Sequence, residues 1–437
     1  MTDLYAKIRD DPRGYLMQLA KSLNLYPYYL PLTDSEGTVV WFGDHEVVML
    51  GSNNYLGLTT HPKVRQAAKD AIDRWGTSCT GSRLVNGTLE IHVELDRRLA
   101  AFVGKEAALV FSTGYQTNLG TISALVGKGD YAVIDREDHA SIVDGCLLAR
   151  GTHQAEIKRF SHNDPDSLER VLRQIPKDAG ALVVVDGVYS MGGDIAPLPQ
   201  LVEICKRHGA RIMVDDAHSL GVLGGGRGTA AHFGLTDEVD LIMGTFSKTF
   251  ASIGGFIAGD ADVIEYIKHN GRAMMFSAAL PAHNVATALA VLDIMETEPE
   301  HVQRLWENTE FMRAGFKRLG YDTGASATPV IPVYLSDEAL LNRVEANLMG
   351  AFQLPPGVPR EAAVTAWTWR RLLDCGVYTN AVVPPGVPVK QALLRTSYMA
   401  THTKEHLSRA LDVFEAVGKE LGILAPDAAW RTNGNSL

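Results

Sequence analysis

The chain has 437 residues, 46% hydrophobic and 21% charged, with a formal net charge of −10. That is soluble globular composition, long enough for a large core and two domains. No block of Lys or Arg stands out, which excludes a nucleic-acid partner but leaves room for an anion in a local pocket. Cys79, Cys146, Cys205 and Cys375 show no CxxC spacing, which argues against a zinc site and a disulfide framework. The N-terminal MTDLYAKIRDD lacks a signal pattern, and no apolar run approaches the ~20 residues of a membrane span. The expectation is a cytoplasmic, reduced protein, with peripheral membrane contact left open.

In chain order, residues 1–50 read as an N-terminal arm with strand-like GTVVWFG and EVVML. Residues 51–290 read as a large domain. Within it, short apolar runs alternate with longer amphipathic stretches: AALVF (107–111), YAVID (131–135), ALVVVD (181–186), RIMVD (211–215), LIMG (241–244) and GGFIAG (254–259). Runs of this kind suit strands buried on both faces, so the fold class is α/β: a mostly parallel central sheet with helices on both faces. Residues 291–437 read as a smaller C-terminal α+β domain, entered by a long linking helix near 285–315. Residues 345–362 read as a surface-loop insertion, and the terminal WRTNGNSL as frayed.

Most of the runs end in chemistry: STG after the first, then DREDH, DGVYS, DDAH and TFSK. Ligands of open α/β sheets bind outside the carboxyl ends of the strands. Gly114, His139, Ser190, Asp215, His218 and Lys248 are therefore expected in one crevice.

A pyridoxal phosphate site needs a lysine for a Schiff base, a carboxylate for the pyridine nitrogen, an anion pocket, and a flat partner for the ring. Lys248, in GTFSKTFASIGG (244–255), is the candidate lysine and Asp215 the candidate carboxylate. Gly114 and Tyr115 begin a helix whose amides face phosphate, and Thr245 and Ser247 add hydroxyls. His139 is placed to stack on the ring and His218 to bond its phenolic oxygen. Gly254 and Gly255 let backbone pass close by. Taken singly, a lysine after a strand is ordinarily solvated, and a lone histidine is ordinarily a packing residue. An Asp at a strand end, or STG before a helix, is ordinarily a cap. Their joint order along one sheet edge separates them from those plain roles.

Together, SNNYLGL (52–58), TGSRLVNGT (80–88), DHASIVDG (138–145), DDAHSLG (215–221) and GTFSKTFASIGG resemble the α-oxoamine synthases over roughly residues 25 to 420. These fold-type-I pyridoxal 5′-phosphate enzymes join an amino acid to an acyl thioester with loss of carbon dioxide. The resemblance implies that Lys248 carries the cofactor and later takes the Cα proton. It also implies that Asp215 pairs with the pyridinium, His218 with the ring oxygen, and that His139 stacks and orients the substrate carboxylate. Ser277, in MMFSAALP, and Asn54 resemble residues that reach across a dimer interface, so a homodimer with shared active sites is implied. Arg395, in ALLRTS, matches the family's carboxylate-binding arginine; its plain alternative is a surface ion pair worth ~0–1 kcal/mol.

LYPYYLPL (25–32), STGYQTNLGTISALVGKGDY (112–131), DGVYSMGGDIAPL (186–198), VPPGVP (383–388) and LLRTSYMATHT (393–403) look most like the bacterial serine palmitoyltransferase branch. That branch condenses L-serine with palmitoyl-CoA to 3-ketodihydrosphingosine, the first step of sphingolipid synthesis. Two departures stand out. Val382 and Val383 occupy the stretch where some members carry an arginine, and Ser78 stands where glycine is common. The nearest alternative is another member, a glycine C-acetyltransferase or an 8-amino-7-oxononanoate synthase. More distant ones are an aminotransferase and a non-catalytic subunit of the same fold.

Overall fold

The computed structural model describes residues 3–9, 11–347, 358–384, 386–388 and 390–424. WRTNGNSL, and residues 348–357 of the expected insertion, lie outside them. Fourteen strands occur among these residues. β1 (Asp34–Ser35), β2 (Val39–Phe42) and β3 (His45–Met49) come from the N-terminal arm. β4 (Ala107–Phe111), β5 (Tyr131–Asp135), β6 (Glu156–Phe160), β7 (Ala181–Asp186), β8 (Arg211–Asp215), β9 (Leu241–Thr245) and β10 (Gly255–Gly259) follow. The C-terminal part supplies β11 (Val330–Tyr334), β12 (Val377–Tyr378), β13 (Asn380–Val382) and β14 (Leu393–Ser397).

The central sheet has the order β4-β10-β9-β8-β7-β5-β6. All neighbours are parallel except at β10, which runs antiparallel to both β4 and β9. The apolar runs form these strands because both faces are covered. Leu109 and Phe111 pack with Ile122, Ile142 and Cys146 on one face, while the alternate Ala108 and Val110 join the larger core on the other. An apolar run carries no sign of direction, so the reversal of β10 was not readable from it. β6, EIKRF, was missed because it is an edge strand that keeps charges exposed.

The expected long helix near 285–315 is two helices, Ala282–Thr297 and Glu300–Leu319. Pro299 divides them: it lacks a donor and pushes Glu298 to φ −126° and ψ 68°, outside the helical region. Beyond it, β11, β14 and β13 form a small antiparallel sheet flanked by the helices Arg360–Asp374 and Lys404–Leu421. β12 pairs in parallel with β3, so arm strands and a C-terminal strand share a four-stranded sheet. Before that sheet the arm carries a helix, Pro12–Ser22, that sequence reading did not anticipate.

Candidate active site

The carboxyl ends of β4, β5, β7, β8 and β9 meet the amino end of β10 at one edge of the sheet. A cavity of about 290 Å³ lies there. Gly114 and Tyr115 wall it from the start of the helix Gly114–Leu125, and Thr245 and Ser247 from the end of β9. His139, Ser190, Asp215, His218 and Lys248 complete the convergence expected from the sequence.

One end of the cavity is built for an anion. Thr113 caps the helix, its hydroxyl accepting from Gln116 N at 3.1 Å, and the first-turn amides face outward with the positive end of the helix dipole. Thr245 Oγ1 lies 3.0 Å from Ser247 Oγ and donates to Gly254 O at 3.1 Å. The backbones pass very close here: a Cβ on Gly255 would sit 2.6 Å from Gly114 Cα. Gly254 has φ +127°, a conformation open in practice to glycine.

The centre carries the titratable groups. Asp215 is buried; Asn118 Nδ2 donates to its Oδ2 at 2.7 Å and Ala217 N to its Oδ1 at 3.0 Å. The same Asn118 amide donates to Ser141 Oγ at 2.8 Å, and Ser141 Oγ lies 2.7 Å from His139 Nδ1. The backbone amide of His139 donates to Asp186 Oδ2 at 3.1 Å. Carboxylate, histidine and helix start are thus held as one unit.

Burial lowers the Lys248 amine below its ordinary range; Asp215 opposes this and the Arg395 charge adds to it. Burial also lowers His139, and lowers His218 well below the usual histidine value, with Lys248 and Arg395 adding to the latter. Both imidazoles are therefore neutral near pH 7. Burial first, and then neighbouring carboxylates, push Asp138 and Asp186 well above the usual range.

Arg395, on β14, is buried rather than paired at the surface. Its Nε donates to Ser190 O at 2.5 Å, and its Nη2 is buried with no hydrogen-bond partner. It lines a second cavity of about 920 Å³, which shares His139, Ser190, His218 and Lys248 with the first and is otherwise mostly apolar.

Two expected residues lie outside both cavities of their own chain. The Asn54 side chain is used locally, donating to Thr59 Oγ1 at 2.8 Å and accepting from Leu58 N at 3.1 Å; its neighbour Asn53 lines the larger cavity. Ser277 Oγ accepts from Gln116 Nε2 at 2.8 Å, beside the helix start. Tyr115 is partly exposed, its hydroxyl donates to Asp144, and its ring lies edge-on to His139 with centroids 6.3 Å apart. Sequence reading missed Tyr55, Asn118 and Asp186. Tyr55 is wholly buried, and its hydroxyl lies 2.7 Å from His218 Nδ1. Tyr55 and Asn118 sit inside the quoted SNNYLGL and STGYQTN, but their partners are 163 and 97 residues away, so spacing gave no hint.

The residues fit pyridoxal phosphate. A depressed amine, a doubly hydrogen-bonded carboxylate and an anion cradle that one Cβ would fill surround a space of the right order for a small cofactor.

The sequence profile described as aminotransferase class I and II matches residues 45–414. The chain is 45% identical over 409 residues to the serine palmitoyltransferase of Sphingobacterium spiritivorum, covering 93% of this chain and 96% of that one. It is 41% identical over 414 residues to the 8-amino-7-oxononanoate synthase of Geobacter sulfurreducens, covering 94% and 98%. A solved lysine-to-alanine variant of serine palmitoyltransferase from S. paucimobilis, with a bound PLP–myriocin aldimine, superimposes with a TM-score of 0.87 at 35% identity, covering 97% of this chain and all of that one.

Proposed function

The chain belongs to the class I and II aminotransferase family of fold-type-I enzymes, with pyridoxal 5′-phosphate as cofactor, and we propose that it condenses L-serine with palmitoyl-CoA or a similar long-chain acyl thioester. The products are 3-ketodihydrosphingosine, coenzyme A and carbon dioxide. The observation that carries this reading is the joining of the two cavities. The amine-bearing cavity shares His139, Ser190, His218 and Lys248 with a mostly apolar space about three times its size.

When bound, the cofactor supplies an electron sink for the electron pair left on the serine Cα. Asp215, its position fixed by Asn118 and Ala217, would hold the cofactor's ring nitrogen protonated. Lys248, its pKa lowered by burial, takes the Cα proton and returns one at the end. The unpaired Arg395 Nη2 receives the serine carboxylate and, with His139, holds it so that the Cα–H bond, and not the bond from Cα to the carboxylate, is broken first. Cα then forms a bond to the thioester carbonyl, the C–S bond breaks, and coenzyme A leaves as thiolate. Loss of carbon dioxide and reprotonation complete the balance. His218, oriented by Tyr55, would bond the cofactor's ring oxygen.

The 8-amino-7-oxononanoate synthase reading, alanine with pimeloyl-CoA, rests on the 41% identical relative. It meets an obstacle in the larger cavity. Lys248 and Arg395, both at the reactive end, are its only Lys or Arg lining residues among those described, so a distal carboxylate would face apolar wall. The two readings separate by mass spectrometry of products from each amino acid and thioester pair. A C18 amino ketone from serine and palmitoyl-CoA supports ours; product from alanine and pimeloyl-CoA alone refutes it.

We further propose a homodimer in which Asn54 and Ser277 serve the partner's site. Phe276, the residue before Ser277, supports this: it is 70% exposed, with the Arg272 guanidinium over its ring, and Val85 is a second exposed apolar side chain at 79%. No helix among the described residues is long and apolar enough to cross a membrane.

A further inference from the structure

Two helix faces oppose each other across the larger cavity. From the helix Pro12–Ser22 and the residue after it come Leu16, Leu19, Ala20 and Leu23; from the helix Arg360–Asp374 and the residue before it come Pro359, Ala362, Ala363 and Ala366. Each set has the spacing i, i+3, i+4, i+7, which presents one face of a helix. An ordinary helix–helix contact is filled to interior density. Here leucines on one side meet methyl groups on the other, and the space between stays open. The small side chains create the room.

Among the described residues, the cavity carries its cationic side chains, Lys248 and Arg395, at one end only. It meets the cofactor cavity at His139, Ser190, His218 and Lys248, whereas none of the eight helix-face residues lines that smaller cavity. Its N-terminal wall is tied down. Tyr26 and Tyr28, in the YPYY stretch after the helix Pro12–Ser22, meet edge to face at 5.5 Å, and Tyr28 donates to Ala381 O, on β13, at 3.4 Å. The 345–362 stretch, expected as a surface loop, contributes Val358, Pro359 and Ala362 to this cavity.

We propose that this space seats the acyl chain of the thioester, and that Ala362, Ala363 and Ala366, set against the leucine face of the N-terminal helix, fix the chain length accepted. The occupant is an unbranched, uncharged alkyl chain, because the far wall offers methyl and isobutyl groups and no charge. The inference rests on the proposed condensation reaction. Each methylene seated against these walls multiplies affinity by about four. A bulky group on the alanine face shortens the accepted chain by as many methylenes as it displaces.

The test uses the holoenzyme and its Ala366→Phe variant, with serine and saturated acyl-CoA thioesters from hexanoyl to stearoyl. The expected result is a shift of the optimum to shorter chains. Displacing three or four methylenes lowers the palmitoyl-to-octanoyl ratio of kcat/KM on the order of a hundredfold. Serine still perturbs the cofactor absorption, which shows that the reactive end is intact. Ala20→Leu narrows the cavity from the opposite wall and shifts the ratio the same way, so the test survives if the phenylalanine variant does not fold. An unchanged ratio in a folded variant overturns the proposal and leaves the condensation reading standing. Wild-type enzyme that condenses no long-chain thioester overturns both, and this is seen before any variant is made.

Discussion

Replacing Arg395 with lysine keeps the charge and removes the fork. The Arg395 side chain is buried, and β14 holds its backbone between β11 and β13, with Cα partners Pro332 and Asn380. One of its nitrogens is committed to Ser190 O at 2.5 Å, while Nη2 has no partner. A buried donor left unpaired costs about 1–3 kcal/mol, and a carboxylate bound there relieves that cost. Lysine, a point donor, supplies one charge-assisted bond in place of two. The lost bond is worth about 1.5–3 kcal/mol, or about tenfold to a hundredfold in serine affinity. Val382 and Val383 line the same cavity and supply no second cation. The assay is a serine titration followed by cofactor absorption, with thioester KM measured beside it. Arg395→Lys is expected to weaken serine by that factor and to leave thioester KM within about twofold. A serine dissociation constant within threefold of wild type, or a larger effect on the thioester, refutes the role.

Three further outcomes are expected. Lys248→Ala abolishes the visible absorption of lysine-bound cofactor, and a borohydride-reducible adduct on any other lysine contradicts that assignment. Tyr55→Phe strips the partner from His218 Nδ1 in a buried site. A loss of about 1–3 kcal/mol in cofactor binding is expected, read by cofactor release during dialysis; retention equal to wild type refutes it. His402 is buried, accepts from Met399 N at 2.9 Å, and is pushed down to about 3, by burial first and then by nearby His406. Its folded pKa lies below the unfolded one, so the unfolded chain takes the proton first as pH falls. Stability is complete above about pH 6.5 and is lost at about 1.4 kcal/mol per pH unit between 6.5 and 3. Urea midpoints for wild type and His402→Gln check this, the variant showing the shallower acid slope; equal slopes contradict it.

The sheet and its reactive edge were legible because a parallel strand buried on both faces must be apolar and must end at the ligand edge. Ten of the expected residues, Gly254 among them, line one cavity for that reason. What was not legible depended on tertiary contact or on direction. β6 hid because an edge strand needs no apolar run; β10 was expected as a strand, but its reversed direction was not, because an apolar run has no polarity. Pro299 was visible in the sequence, yet apolar periodicity on both sides masked the break. Tyr55 and Asn118 act through partners far along the chain. The acyl cavity combines a weakly apolar N-terminal helix with an alanine-rich helix more than 330 residues later, a pairing with no local signature.

An absorption titration of the purified holoenzyme with serine, alanine and glycine, with and without palmitoyl-CoA, tests the proposed condensation at its first two steps. A shift is expected with serine, and a further long-wavelength band only when the thioester is added. A shift with alanine or glycine but not with serine, or a band indifferent to palmitoyl-CoA, would contradict the proposed condensation.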